Sequence, residues 1–212
     1  LIPQGVDGSR DAQGFIMNKV RSTSSLNLPD KDVSYVNVNT HSGLTFGDAS
    51  DDSALSIEAW VKAKDATNFI IVSKGLYNAS AEYKLFINAS NILKFQCFDE
   101  SEANCYIGRK YDTDISSVIE GEWVHIVATY SASETSAGIK IYLNSSRVDD
   151  ADDQNNEGSY VAMQSEAADV HIGRYDTAYT DGQIDGVLIY NKELSLPEVQ
   201  RNYKATKGSH RN

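Results

Sequence analysis

No apolar run in this 212-residue sequence approaches the roughly 20 residues that a membrane-spanning helix needs, so helical insertion into a bilayer is excluded. The opening LIPQGVDGSR lacks the basic-then-apolar layout of a secretory signal, although a segment removed upstream of Leu1 would leave the same start. Basic charge is in deficit: 19 Lys and Arg stand against 30 Asp and Glu, a net charge of -11. General binders of nucleic acid or anionic membrane need a cationic face, so this balance argues against both and suits divalent cations or neutral glycans better. Cysteine is scarce. Cys97 and Cys105 flank the polar stretch FDESEAN and could either close a disulfide across a hairpin or remain reduced thiols near the core. There is no Cys/His cluster at metal-ligand spacing, no G-x-S-x-G nucleophile turn and no phosphate-cradling glycine loop, so nucleophilic and nucleotide chemistry find no support. The sequons at Asn78, Asn88 and Asn144 are short enough to arise by chance and matter only in a eukaryotic secretory setting.

What is present reads as strands. Short β-forming runs with polar turns between them predict strands at Tyr35 to Val38, Leu55 to Ala63, Phe69 to Lys74, Tyr83 to Asn88 and Ile92 to Phe98. The series continues with Trp123 to Tyr130, Ile139 to Leu143, Val170 to Gly173 and Ile184 to Tyr190. Nine strands imply an all-β sandwich, and the length is compatible with one domain. In the second of them Leu55, Ile57, Ala59 and Val61 alternate with Ser56, Glu58, Trp60 and Lys62, which predicts one face inward and one outward. Trp123 to Tyr130 is apolar on both faces and should be central, with His125 a core or cross-strand residue rather than a ligand. The phrase IGRKYDT (107–113) returns as IGRYDT (172–177), and both copies read as strand ends where Gly permits a sharp exit into a loop.

The C-terminal segment GQIDGVLIYNKELSLPEVQRNY joins a buried strand to a short helix. Ser195 followed by Glu198, with Pro197 between them, predicts an N-cap, and Leu196, Val199 and Tyr203 give one apolar face over about two turns. Residues 1–33 read as an irregular arm, 34–204 as the sandwich and 205–212 as a solvated, flexible tail.

LSIEAWVKA, IIVSKG, YKLFINASNILKF, GEWVHIVATYS, IKIYLNSSRV, VHIGRY and GQIDGVLIYNKELSLPEV resemble, in this order, the motifs of laminin G-like domains in the concanavalin A-like lectin/glucanase superfamily. The resemblance covers Tyr35 to Tyr203 and implies a two-sheet antiparallel jelly-roll sandwich closed by the short helix. The opening GFIMNKVRSTSSLNL and the tail RNYKATKG are similar to flanks of such domains in virion structural proteins of tailed phages. That second resemblance implies display on a virion surface or another extracellular surface. Its partners would be glycans or neighbouring protein subunits, and homo-oligomers are common among particle-surface proteins.

Glucanases of this superfamily set carboxylates in an E-x-D-x-x-E pattern on one strand, so that acid and nucleophile share a face. Nothing here matches: Glu58 stands alone, Glu120 and Glu122 precede Trp123 at a turn, and Asp149 to Asp153 lie in an acidic loop. A non-catalytic recognition or decoration module is the expectation, with a purely structural capsid or tail component that binds no sugar as the alternative. Many relatives hold calcium at the sandwich rim, which needs oxygen ligands. DDADDQNNEG (149–158) fails the EF-hand pattern and reads as a solvated loop. Asp185 inside an apolar strand is the better candidate, joined by Asp181 and Asp48; alternatively Asp185 accepts backbone N–H bonds. For sugars, an aromatic platform beside polar groups is needed, and RYDTAYTDG supplies Arg174, Tyr175, Asp176 and Tyr179, with Tyr111 from the matching loop. Tyrosines are also ordinary rim residues. Trp60 is expected to be covered by the N-terminal arm.

Overall fold

Leu55, Ile57, Ala59 and Val61 are fully buried because their strand runs through the middle of a six-stranded sheet, with its inward face against a second sheet. The computed structural model describes residues 25–29, 31, 34–76 and 79–210; the Asn78 sequon and most of the predicted arm lie outside them. Sheet A orders β1 (Leu26–Leu28), β14 (Asp181–Tyr190), β3 (Leu55–Asp65), β8 (Val124–Tyr130), β9 (Ile139–Leu143) and β10 (Ser146–Arg147). Sheet B orders β2 (Val36–Val38), β11 (Val170–Ile172), β4 (Ile70–Lys74), β5 (Tyr83–Ile87), β6 (Leu93–Phe98) and β7 (Tyr106–Tyr111). All these pairings are antiparallel. Ile57, Val61, Ile126 and Ile141 of sheet A meet Ile71, Leu85, Phe95 and Ile107 of sheet B in one core, as the period-2 patterns require. A single turn, α1 (Ser116–Ile119), seats Ile119 there as well.

The nine predicted strands are present with small shifts of boundary, and β8 is interior as its two apolar faces suggest. The strand β7 is a correction. IGRKYDT is not a strand end running into a loop: Tyr106–Tyr111 pairs along its whole length with β6, from Phe98 opposite Tyr106 to Leu93 opposite Tyr111. An inward-pointing Arg109 disguises the alternation. It is 4% exposed, donates from Nε to the Ser136 carbonyl at 2.8 Å and from Nη1 to the Asp150 carbonyl, and lies 3.6 Å from Asp149. Asp149 is thus no solvated loop residue; it also holds Arg147 at 2.8 Å and accepts the Ile141 N–H. Beyond it, Asn155 donates to Gly108 and Glu157 exchanges backbone bonds with Tyr106, which covers the outer edge of β7.

Ser195 and Glu198 form the predicted capping box of α2 (Leu196–Thr206), with the Ser195 N–H donating to Glu198 Oε2 at 2.9 Å. Lys192 and then the Ser195 N–H pull the Glu198 carboxyl down to about 2. The helix makes three turns rather than two, and a 3-10 turn over Lys207–Ser209 follows, so the tail is structured as far as His210. Val199 and Leu194 pack on Val127, Tyr142 and Tyr190 of sheet A. The face predicted to be outward is therefore inside: Ser56, Glu58 and Trp60 lie at 0, 2 and 4% exposure beneath α2.

Both cysteines are free and buried. Cys97 faces Ile107 across the ladder, while the Cys105 carbonyl accepts from the Asp99 N–H two rungs beyond. Burial pushes the Cys97 thiol well up and the Cys105 thiol to about 11, so neither is a ready nucleophile.

Candidate functional site

After β11 the chain turns sharply at Gly173, φ +85°, where a Cβ would stand 2.3 Å from a Leu28 methyl, so only glycine fits. It then forms a small hairpin of β12 (Arg174–Tyr175) and β13 (Ala178–Tyr179), with Asp176 in the left-handed region at its tip. Two hydroxyls pin this hairpin across the outer face of sheet B. Thr180 Oγ1 accepts the Ile70 N–H at 2.9 Å and donates to the Ile70 carbonyl at 2.6 Å, while Ser73 Oγ donates to the Arg174 carbonyl at 2.7 Å.

The hairpin sorts its side chains by alternation. Tyr175 turns down onto Ile70, Phe86 and Phe98 and is only 7% exposed, so it is no open platform. Arg174 and Tyr179 share the other side, where the Arg174 guanidinium sits 4.7 Å over the Tyr35 ring and 5.6 Å from that of Tyr179. Arg174 Nε donates to the Asp176 carbonyl at 3.0 Å, and His171 meets Tyr35 edge-on at 5.4 Å. Tyr35 is the residue that sequence reasoning missed, because it stands beside β2, far away in the chain; an aromatic at a strand start was the available signal. Tyr111 does not join the group. It ends β7 opposite Leu93 and packs on the main core, five positions along β6 from the Phe98 beneath Tyr175, about 17 Å away at strand spacing.

Asp48, Asp181 and Asp185 each meet their own partners at separate places. Asp48 Oδ1 accepts the Ser50 and Asp51 N–H groups at 2.9 Å, and these bonds, Asp51's first, hold its carboxyl below the usual range. Asp181 lies 3.2 Å from Lys64 at a recess of about 540 Å³ that Gln183 and Gly121 help to line. Asp185 accepts the Gly186 N–H at 2.7 Å through Oδ1 and meets His210 Nε2 at 2.9 Å through Oδ2. Among the described residues no three His, Cys, Asp or Glu side chains converge. Calcium takes about six to eight oxygens, whereas Asp185 is surrounded by nitrogen donors, so these residues do not fit a calcium cage.

Asp185 instead anchors the C-terminus. His210 stacks on Trp60 at 4.3 Å and 4°, touches Trp123 edge-on, and places Nδ1 3.1 Å from the Thr206 carbonyl. Both of its polar partners, the Thr206 carbonyl and Asp185 Oδ2, are acceptors. Trp60 Nε1 donates to Thr206 Oγ1 at 3.0 Å, so the C-terminal helix covers Trp60, while most of the arm expected over it lies outside the described residues. Because His210 touches both tryptophans, His210→Ala is expected to shift the tryptophan emission to longer wavelength as water reaches Trp60. An unchanged spectrum would contradict this packing.

Beneath Trp60, Glu58 accepts from His125 Nε2 at 3.0 Å, the Tyr190 hydroxyl at 3.0 Å and Asn202 Nδ2 at 2.7 Å. His125 is a fully buried cross-strand partner, as its strand pattern suggests.

Two six-stranded antiparallel sheets with a helix sealed over one of them define a jelly-roll sandwich of the lectin type. The chain belongs to the Concanavalin A-like lectin/glucanases superfamily, matching the Laminin_G_3 family over residues 32–200. No curated protein matches it. Solved structures share the fold at low identity. The binding domain of botulinum neurotoxin serotype D aligns at 13% identity and TM-score 0.60, over 92% of this chain and 48% of that one. Serotype G gives 15% and 0.61 over 92% and 48%. The binding domain of Paraclostridial Mosquitocidal Protein 1 gives 14% and 0.61 over 89% and 45%. This chain thus spans about half the length of those toxin domains.

Proposed function

We propose that this domain is a non-catalytic recognition module displayed on an extracellular surface, with a glycan as its ligand at the β12–β13 hairpin. One observation carries the reading: a guanidinium held over two tyrosine rings on a hairpin that two buried hydroxyls fix to the sheet. Sugars offer C–H faces for stacking and hydroxyls for hydrogen bonds, and Tyr35, Tyr179 and Arg174 supply both complements. Against catalysis, the carboxylate at the middle of β3 lies under α2 with three donors already upon it. The solved relatives are binding domains by name, which agrees with a recognition role. Virion display rests on the resemblance of the flanks alone.

A glycan array tests the reading. The intact chain should bind, and Tyr35→Ala and Tyr179→Ala should each weaken binding roughly tenfold through lost ring contact, while Tyr111→Ala leaves it unchanged. Absence of binding to any glycan at high protein concentration would transfer the role to contact with a neighbouring subunit.

A further inference from the structure

On the outer face of sheet B, alternation brings three lysines together in a chain whose net charge is -11. Lys94 of β6 stands directly opposite Lys110 of β7, and Lys84 of β5 is opposite Gln96, on the diagonal from Lys94. Like charges in direct cross-strand register oppose folding. Their surroundings sharpen the conflict. The Lys84 ammonium is wedged 3.8 Å from the centroid of Phe86 and 4.0 Å from that of Tyr175, the tyrosine the hairpin turns down. Burial first and Lys94 second lower the Lys84 amine to about 8, and burial then Lys110 also lower that of Lys94. Lys110 has Asp112 at 2.7 Å, but among the described residues neither Lys84 nor Lys94 has a carboxylate within ion-pair distance. A desolvated cation held by two rings, beside a second with no described carboxylate within ion-pair distance, is a preformed receptor for an anionic group.

We propose that Lys84, Lys94 and Lys110 form an anion subsite that selects a short acidic saccharide, its carboxylate or sulfate seated between Lys84 and Lys94. The proposal deepens the glycan reading and rests on it. Two considerations choose a short sugar over a longer polyanion. The net charge repels an extended phosphate backbone, and the row spans three adjacent strands, about 10 Å at the usual spacing. That width suits one or two charges flanked by hydroxyl partners, and the Tyr106 hydroxyl, which accepts from Asn155 at 3.2 Å, lies on the same face. The net charge taken alone pointed to neutral glycans; the sheet register is what gathers the lysines.

The test is an array of paired oligosaccharides, carboxylated or sulfated against their neutral counterparts, with a hexaglutamate peptide and an oligothymidylate as further probes. The acidic members should bind roughly tenfold more tightly than the neutral ones, the worth of one charge-assisted hydrogen bond. Lys94→Gln and Lys84→Met should each abolish that preference while leaving neutral binding intact. Should Lys84→Met fail to fold, Lys94→Gln decides alone. Whichever acidic series shows the preference identifies the group. Equal binding of acidic and neutral members, or a preference that survives in the variants, overturns the lysine subsite. Tighter binding of the peptide or the oligonucleotide overturns the sugar assignment. Neutral binding, read through Tyr179, reports the glycan site separately, so the two can fail independently; no binding of any probe overturns both.

Discussion

Replacing Glu58 by alanine is expected to cost about 3–5 kcal/mol of stability, from three donors left without their acceptor at roughly 1–3 kcal/mol each, and to lower the melting midpoint by roughly 10 °C for a chain of this size. The side chains of Glu58 and His125 are 3% and 0% exposed. Alanine would strand the His125, Tyr190 and Asn202 donors beneath α2, and each buried donor left unsatisfied carries its desolvation cost. Burial first, then the Glu58 charge, hold the Tyr190 phenol far above its usual range, so it remains a donor at any working pH. Glu58→Gln keeps an acceptor at the same place and should cost clearly less. Urea denaturation at neutral pH measures both, and a Glu58→Ala loss below about 1 kcal/mol, the net worth of a single ordinary hydrogen bond, would refute the account.

Lys74→Met should be nearly as damaging and, unlike Glu58→Ala, strongly dependent on pH. The side chains of Lys74 and Glu82 are both 0% exposed and form an ion pair. Lys74 also donates to Thr45 at 2.6 Å and to the Glu166 carbonyl at 3.2 Å, while Glu82 accepts the Phe46 N–H, so the pair ties two loops to sheet B. Burial raises the Glu82 carboxyl even with Lys74 opposing it; methionine would remove that opposition and raise it further. A carboxyl raised in the folded state still holds its proton when the unfolded chain has lost its own. Its contribution is therefore complete below the unfolded value near 4.5 and drains away as pH climbs through the folded one. The variant should lose about 3–5 kcal/mol at pH 7 and distinctly less at pH 5. Adding Glu82→Leu should recover much of the loss by removing the stranded charge. Equal destabilisation at both pH values would show that Glu82 is not its source.

The patterns that were legible in the sequence are those with a local cause. Leu55 to Val61 alternate because a strand presents successive side chains to opposite faces, and Ser195 with Glu198 caps α2 because both donors lie within one turn. Strand β7 escaped because Arg109 occupies an inward position that becomes affordable only with the Ser136 carbonyl and Asp149 beside it, both distant in the chain. Trp60 and Glu58 were read as outward for a similar reason: nothing within their strand announces that a helix more than 130 residues later will cover them. In the candidate site, Arg174 and Tyr179 could be picked from the loop composition, while Tyr35, which completes the stack, and the inward turn of Tyr175 could not.

By itself the sequence determined the all-β class, the central place of β8, the capped closing helix and the family, since period, propensity and capping are written in residues a few positions apart. Only the tertiary structure decided which polar groups meet. It assigned Asp185 to His210, hid Glu58 under α2, set Arg174 over Tyr35 and lined up Lys84, Lys94 and Lys110. These are consequences of strand register and of loops returning across a sheet, and they depend on sequence separations that no local pattern records.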